Sequence, residues 1–215
     1  MSRRVIVVGA GGHGKVVVGA LLSAGEKVVG LVDPRTELWS LQVLGVPVLG
    51  GDEQLDALAG GGDLVLANGV GSTGRATARR DVFERLRARG FLFSCVVHSS
   101  AVISADVDLG AGAQVMAGAV IQPGVGLGED CIVNTAASVD HDCLIGEHAH
   151  IAPGATLCGH VYVGALALVG AGASVRQGLR IGKGSVVGAG AVVVADVPEG
   201  VMVAGNPARP RQGGV

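Results

Sequence analysis

The chain has 215 residues, and its 16 basic and 18 acidic side chains leave a formal net charge of only −2 at pH 7. This balance argues against a nucleic-acid-binding surface, and no apolar run reaches the roughly 18 residues that a membrane span needs. Because 38 residues are glycine and only 2% are aromatic, the core must be filled by aliphatic side chains and alanine on a tightly turning backbone.

The first 94 residues predict a Rossmann-like βαβαβα domain. An aliphatic strand at Val5–Val8 leads into the glycine-rich segment 9–14 and then into a helix-like stretch, Val16–Ala24. A second strand, Val28–Val32, ends at Asp33. This order of strand, G-x-G-x-x-G, helix, strand and acidic residue is the dinucleotide-type fingerprint, in which backbone N–H groups at a helix N-terminus bind phosphates.

The same segment is too short for a nicotinamide dehydrogenase, which needs a second mononucleotide-binding half and a catalytic domain. A third strand at Leu64–Ala67 and a basic helix from Thr73 to Arg89 complete the unit, and Leu92–Val97 connects it to the next domain. We therefore predict that residues 1–94 bind one nucleotide diphosphate. A docking domain that binds no nucleotide is the alternative.

Residues 95–215 predict a β-helix with a C-terminal tail. Every sixth residue from Val97 to Val193 is aliphatic, which chance would produce with a probability on the order of 3 × 10⁻⁵ at this composition. The residue four positions after each aliphatic is mostly small and often alanine. A period of six fits a short strand, a turn and another short strand, so that three hexads close a triangular coil of 18 residues. A solenoid that serves only as a spacer is the alternative.

Four of the six histidines fall within one stretch of these hexads, at His141, His148, His150 and His160. His141 is predicted at an exposed corner of a coil, with Asp142 beside it. A step of 18 residues places Gly159 on His141 and His160 on Asp142, one sheet spacing away. A base, a carboxylate that orients it and a backbone donor are the parts needed for acyl transfer. We expect His148 to be a solvated corner residue and His150 to face outward on a coil face, with a functional and a structural role both open.

The four cysteines are at positions 95, 131, 143 and 158, with no C-x-x-C spacing and no matching histidine pair. We expect structural thiols in a reducing cytoplasm, in keeping with the lack of a signal-peptide pattern before the first strand. A covalent acyl-enzyme on Cys143 or Cys158 is the less favoured route, because both are predicted at inward or strand positions.

Six segments together resemble a known family, the bacterial sugar O- and N-acyltransferases of the sialic acid and bacillosamine acetyltransferase type. The similarity runs from residue 5 to about 211, and the Asp-His-Asp block within hexads is its most specific part. The segments are Gly9–Val17, Leu31–Pro34, Asn134–Ala136, Asp140–Cys143, His150–Ala155 and Gly205–Arg209.

The resemblance implies a left-handed parallel β-helix, a hand that breaks the usual right-handed crossover rule. It also implies a homotrimer, acetyl-CoA as cosubstrate in the cleft between subunits, no metal, and a nucleotide-linked 4-amino sugar, GDP-perosamine by preference, held by the N-terminal domain. The product would serve bacterial surface polysaccharide synthesis. O-acetylation of a sugar such as sialic acid and a non-catalytic solenoid that senses nucleotide are the two alternatives.

The resemblance assigns site residues in three groups. His141 becomes the general base and Asp142 its orienting carboxylate, while the sequence departs from some relatives at His160, which could compete for Asp142. The residues expected to bind the cosubstrate are His150, Gly159 and Lys183. The residues expected to bind the sugar nucleotide are Gly11, Gly12, His13, Gly14, Lys15, Asp33 and Asn134.

Overall fold

A computed structural model describes residues 3–59, 63–72 and 77–211. It divides the chain into two compact units. The first unit runs to Gly71 and continues from Thr77 to Ser99, and the second contains Ser72 and the chain from Ser100 onward. Within the described residues, no helix has both the length and the apolar character to cross a membrane.

The first unit is a Rossmann-like α/β domain. Its sheet has the strand order β3-β4-β2-β1-β5, in which β1 is parallel to β2 and β5, β2 is parallel to β4, and β3 is antiparallel to β4. The elements are β1 (Arg4–Val8), α1 (Gly12–Ser23), β2 (Lys27–Val32), a 3-10 turn (Thr36–Leu38), β3 (Gln42–Val43), β4 (Val46–Gly50), α2 (Gln54–Leu58), β5 (Leu64–Asn68), α3 (Thr77–Ala88) and β6 (Val96–Val97).

Aliphatic side chains of the central strands pack against the helices to form the core of this unit. Ile6 and Leu66 are fully buried in one cluster with Phe83 and Leu86 of α3, and Phe83 stacks on Phe93 with ring centroids 4.5 Å apart. Burial of such side chains, at about 1.5–3 kcal/mol each, is what holds the helices on the sheet.

The strands predicted at 28–32 and 64–67 are present. Sequence reasoning missed β3, β4 and α2, because the short segment 42–58 carries glycine and proline and lacks a clear period. Within the described residues, the predicted basic helix begins at Thr77. Its predicted start, Thr73, lies outside the described residues. Arg79 of this helix is buried, and its guanidinium donates hydrogen bonds to the carbonyls of Asn68 (3.2 Å) and Val70 (2.7 Å), which hold the loop after β5.

The second unit is a left-handed parallel β-helix, as predicted. Residues pair with those 18 positions later, for example Ser138 with Thr156 and Val139 with Leu157. Its strands are β7 (Val102–Ile103), β8 (Asp108–Leu109), β9 (Gln114–Val115), β10 (Val120–Ile121), β11 (Gly126–Leu127), β12 (Ile132–Val133), β13 (Ser138–Val139), β14 (Leu144–Ile145), β15 (His150–Ile151), β16 (Thr156–Leu157), β17 (Tyr162–Val163), β18 (Leu168–Val169), β19 (Ser174–Val175), β20 (Arg180–Ile181), β21 (Val186–Val187), β22 (Val192–Val193), β23 (Met202–Ala204) and β24 (Arg209–Pro210).

These strands form the three faces of the helix. One face has the order β7-β10-β13-β16-β19-β22, the second β8-β11-β14-β17-β20, and the third runs from β9 through β12, β15, β18, β21 and β23 to the antiparallel β24. The sixth-residue aliphatics from Val115 to Val193 are all buried inside the coils. The period of six therefore creates one continuous aliphatic core, and the corners between faces carry the polar groups of interest.

Candidate active site

His141 and Asp142 lie in the exposed turn between β13 and β14. Asp142 has a left-handed backbone (φ 58°), a conformation that aspartate tolerates better than most residues. Its Oδ2 lies 2.8 Å from Nδ1 of His141, and the Asp140 carboxylate accepts the backbone N–H of His141 at 2.8 Å. The predicted contact between Asp142 and the ring of His141 is therefore present.

This hydrogen bond determines which ring nitrogen is basic. An ionised carboxylate can only accept, so Nδ1 of His141 carries the proton and Nε2 has a free lone pair. The bond to Asp142 is the largest effect on the pKa of His141 and raises it above its ordinary value of 6.5; partial burial opposes this, and the charges of Asp140 and Asp142 add to the rise. The same bond lowers the pKa of Asp142. The pair is therefore an oriented base whose pKa lies above that of an isolated histidine.

Gly159 lies against the His141 ring from the next coil. A Cβ on Gly159 would overlap Nε2 of His141 and lie 2.6 Å from Cε1. The backbone N–H of His160 donates to the carbonyl of His141 at 2.9 Å, which is the predicted stacking of these two corners. Within the described residues the structure gives the Gly159 N–H no hydrogen-bond partner. A backbone donor thus lies close to the basic nitrogen.

His160 stands beside Asp142, as its stacking position implies. Its Nε2 lies 3.5 Å from Oδ2 of Asp142, and its ring meets that of His141 edge-on with centroids 5.1 Å apart. The shorter 2.8 Å bond shows that His141 is the principal partner of the carboxylate. His141, Asp142 and His160 each offer one atom able to ligate a metal, and these atoms lie within 4.8 Å of one another. All three residues are exposed.

His150, predicted to face outward on a coil face, is buried. Its side chain is covered by Ser72, whose carbonyl accepts a hydrogen bond from Nδ1 at 2.9 Å. Nε2 is therefore unprotonated and accepts from Nδ2 of Asn134 at 3.0 Å. Asn134 in turn accepts the backbone N–H of Thr135 at 2.8 Å. The structure thus joins two predicted site residues, Asn134 and His150, in one hydrogen-bonded pair.

His148 is also buried, although the sequence suggested a solvated corner. Its Nδ1 lies 3.1 Å from Oδ2 of Asp130, a fully buried carboxylate. The two residues occupy the same corner of successive coils, 18 positions apart. The spacing of 18 residues is the feature of the sequence that predicts this pair.

The Cys143 thiol near the site is a poor nucleophile. Cys143 is buried, its S–H donates to the carbonyl of Cys158 at 3.2 Å, and burial raises its pKa to about 11. Cys158 is half-buried, and both cysteines are free thiols. A thiol with so high a pKa supplies almost no thiolate at neutral pH.

The first unit contains a separate cavity at the start of α1. It has a volume of about 360 Å³ and is lined by Ala10, Gly11, Gly12, Lys15, Gln42, Val43 and Leu44. A Cβ on Gly14 would overlap the carbonyl oxygen of Gly9, so the turn into the helix requires glycine there. His13 lies on α1 next to Gly71.

The predicted site residues Asp33 and Lys183 differ in exposure, because Asp33 is buried and Lys183 is exposed. The Asp33 side chain is buried, and its carboxylate accepts four hydrogen bonds, from Ala10 and from Arg35. Sequence reasoning did not single out Arg35. Lys183 is exposed at a corner of the β-helix, between β20 and β21.

A β-helix of hexapeptide repeats with an oriented histidine at a corner defines the class of hexapeptide acyltransferases. The family model of the PglD N-terminal domain matches residues 4–86. No curated protein sequence matches the chain.

Solved structures match it over nearly its whole length. The acetyltransferase domain of PglB from Neisseria gonorrhoeae FA1090, in complex with acetyl coenzyme A, is 40% identical, with 98% of this chain and 100% of that chain covered and a TM-score of 0.91. A histidine-to-asparagine mutant of perosamine N-acetyltransferase from Caulobacter crescentus, in complex with CoA and GDP-perosamine, is 40% identical, with 97% of each chain covered and a TM-score of 0.90. WeeI from Acinetobacter baumannii AYE is 29% identical, with 98% of this chain and 100% of that chain covered and a TM-score of 0.84.

The chain therefore belongs to the sugar acyltransferase family of the sialic acid and bacillosamine acetyltransferase type. Within that family it is an enzyme of the acetyl-CoA-dependent sugar N-acetyltransferase group.

Proposed function

We propose that this enzyme transfers the acetyl group of acetyl-CoA to the 4-amino group of a nucleotide-diphosphate-linked sugar, with GDP-perosamine as the best candidate. The product would be a building block of bacterial surface polysaccharide. The observation that carries the proposal is the His141–Asp142 pair, which leaves a basic Nε2 against Gly159. The similarity to an enzyme whose structure contains CoA and GDP-perosamine supports this choice of substrates.

The reaction proceeds by direct attack. The neutral sugar amine attacks the thioester carbonyl, and the oxygen that becomes negative accepts a hydrogen bond from the Gly159 N–H. His141 Nε2 takes the proton that the nitrogen loses as the C–N bond forms. The C–S bond then breaks, and the imidazolium returns that proton to the CoA thiolate. Asp142 keeps the proton of His141 on Nδ1 throughout and is an orienting residue.

The remaining assignments follow the same proposal. The loop 11–15 binds the diphosphate of the sugar nucleotide, because backbone N–H groups at a helix N-terminus and the Lys15 ammonium both favour anions. Asn134 contacts the sugar, and His150 and Lys183 contact the cosubstrate. The site requires no metal.

The proposal is tested first with His141→Asn, which keeps a polar side chain and removes the proton acceptor. With purified protein, acetyl-CoA and GDP- or UDP-linked 4-amino sugars, release of free CoA should show kcat lower by about 10²- to 10⁴-fold. Both KM values should change little. The matched control His98→Asn changes the histidine that directly follows β6 in the first unit and should keep wild-type kcat.

The outcomes separate the alternatives. Wild-type rates in His141→Asn at saturating substrates would exclude the general-base role. Turnover with a free hydroxylated sugar, and none with amino-sugar nucleotides, would favour O-acetylation. No CoA release with any acceptor would favour the scaffold alternative.

We also propose a homotrimer as the smallest active species. Apolar side chains such as Val102 and Leu144 are 62% and 55% exposed on the outer faces of the isolated coils, and such patches often mark interfaces. Sedimentation should show a trimer at micromolar concentration, and an active monomer would overturn the proposal. If Asn134 and His141 act across an interface, mixing Asn134→Ala and His141→Asn subunits should restore part of the activity.

A further inference from the structure

The acidic residue at the end of β2 has no acceptor position left for a ligand. Oδ1 of Asp33 accepts the backbone N–H of Arg35 at 3.0 Å and its Nε–H at 2.8 Å. Oδ2 accepts the backbone N–H of Ala10 at 2.7 Å and Nη2 of Arg35 at 2.8 Å. A carboxylate offers about four lone-pair positions, so the protein itself fills all of them.

This arrangement differs from the dinucleotide fingerprint, in which the acidic residue binds ribose hydroxyls. Here the Asp33 side chain is only 4% exposed, and the hydrogen bond from Arg35 is the largest of the effects that lower its pKa to about 2. Asp33 is therefore an ionised internal anchor, which joins the glycine-rich loop at Ala10 to the guanidinium of Arg35. The Trp39 indole adds a further bond to the carbonyl of Asp33 at 2.9 Å.

The guanidinium of Arg35 is held rigidly but remains open to a ligand. The Arg35 side chain is 50% exposed. A guanidinium has five N–H donors, and Asp33 takes two of them. The remaining three have no acceptor within residues 3–59, 63–72 and 77–211. Nη2 lies 3.7 Å from the place that a Cβ on Gly11 would occupy, which puts the charge beside the residue that precedes α1.

We propose that Arg35, positioned by Asp33, binds the phosphate groups of the nucleotide at the glycine-rich loop, and that Asp33 makes no contact with the ligand. Arginine presents several donors in a fixed plane, which suits phosphate oxygens. The charges of Asp33 and Arg35 cancel. The Lys15 ammonium therefore gives the loop a net positive charge, which attracts an anion. This assignment rests on the proposed function, because it presupposes that the loop binds a nucleotide diphosphate.

The test is calorimetric titration of the full-length protein with GDP and with UDP, without acetyl-CoA. Arg35→Gln should weaken binding of both nucleotides by a similar factor of about 10 to 100, as expected for a charge-assisted hydrogen bond to phosphate. The matched control Arg89→Gln removes the same charge from an ion pair with Asp56 elsewhere in this unit and should bind both nucleotides like the wild type. Circular dichroism would verify that each variant is folded.

The double variant Asp33→Asn/Arg35→Gln decides the role of Asp33. If Asp33 acts only through Arg35, the double variant should bind no more weakly than Arg35→Gln. Losses that multiply would mean that Asp33 affects binding independently of Arg35, by contact with the ligand or through its bond to the Ala10 N–H, and the assignment of Asp33 as a residue that acts only through Arg35 would be wrong. A loss confined to one nucleotide would mean that Arg35 reads the base, which also overturns the phosphate assignment.

The wild-type titration separates this inference from the proposed function. If the wild type binds neither GDP nor UDP, the substrate class of the proposed function fails and the assignment of Arg35 fails with it. If the wild type binds and Arg35→Gln binds equally well, only the assignment of Arg35 fails.

Discussion

Gly159→Ala is the substitution for which the structure gives the clearest quantitative expectation. The backbone of Gly159 does not have a positive φ, so alanine can adopt it. The added Cβ would overlap Nε2 of His141 and lie 2.6 and 3.0 Å from Cε1 and Cδ2. The His141 side chain is 52% exposed and can rotate away, so the ring should give way and the coil should remain intact.

The expected result is a loss of catalysis without a loss of stability. A displacement of about 1 Å at a reacting group can cost 10²-fold, so kcat for CoA release should fall by at least about 100-fold. The melting temperature should stay within about 2–4 °C of the wild type, the shift that 1 kcal/mol produces in a protein of 150–250 residues.

Gly19→Ala, on the helix α1 of the first unit, is the control for this substitution. Its Cβ would meet only Cδ1 of Leu44, at 3.6 Å, which is an ordinary van der Waals distance. Wild-type kcat in a folded Gly159→Ala protein would refute the reasoning, because the ring of His141 could then not occupy the position described here during catalysis.

Three further predictions concern the same coils. The acid limb of kcat/KM should have its midpoint above 6.5, because the base must be neutral and the bond to Asp142 raises the pKa of His141. Asp142→Asn should move that midpoint down toward 6.5; a midpoint that stays in place would show that another group titrates. Cys143 should resist a thiol-specific reagent in the native protein, since burial raises its pKa to about 11; modification as fast as in urea would contradict its buried position. Asp130→Ala should lower the free energy of unfolding in urea by about 1–3 kcal/mol through loss of the buried bond to His148, and Asp130→Asn should cost less; equal stability of both variants to wild type would count against that bond.

Much of the β-helix site could be predicted because a period of six leaves little freedom. Once three hexads close a coil, each residue stacks on the one 18 positions later, as Ser138 does on Thr156. That rule alone brought Gly159 onto His141 and His160 beside Asp142. It would also have paired Asp130 with His148, had it been applied to that corner.

The first unit was predictable in outline and less so in detail. The pattern of β1, the glycine-rich segment and β2 predicted the tight turn into α1, because only glycine permits the close contact between Gly14 and Gly9. The strand β4 was missed, since a short strand with a proline carries almost no periodic signal.

The sequence by itself determined the two-domain architecture, the coil register and the His141–Asp142 pair, because each depends on local spacing that repeats or on residues adjacent in the chain. Only the tertiary structure showed that Ser72 covers His150 and that Arg35 donates two side-chain hydrogen bonds to the carboxylate of Asp33. Ser72 comes from an aperiodic segment 78 positions away in the chain, and Arg35 lies in a loop whose backbone must bend before its side chain can turn back to Asp33. Such contacts form where hydrogen-bond donors and acceptors that still need a partner come together in the folded chain. The spacing of residues in the sequence does not show where this happens.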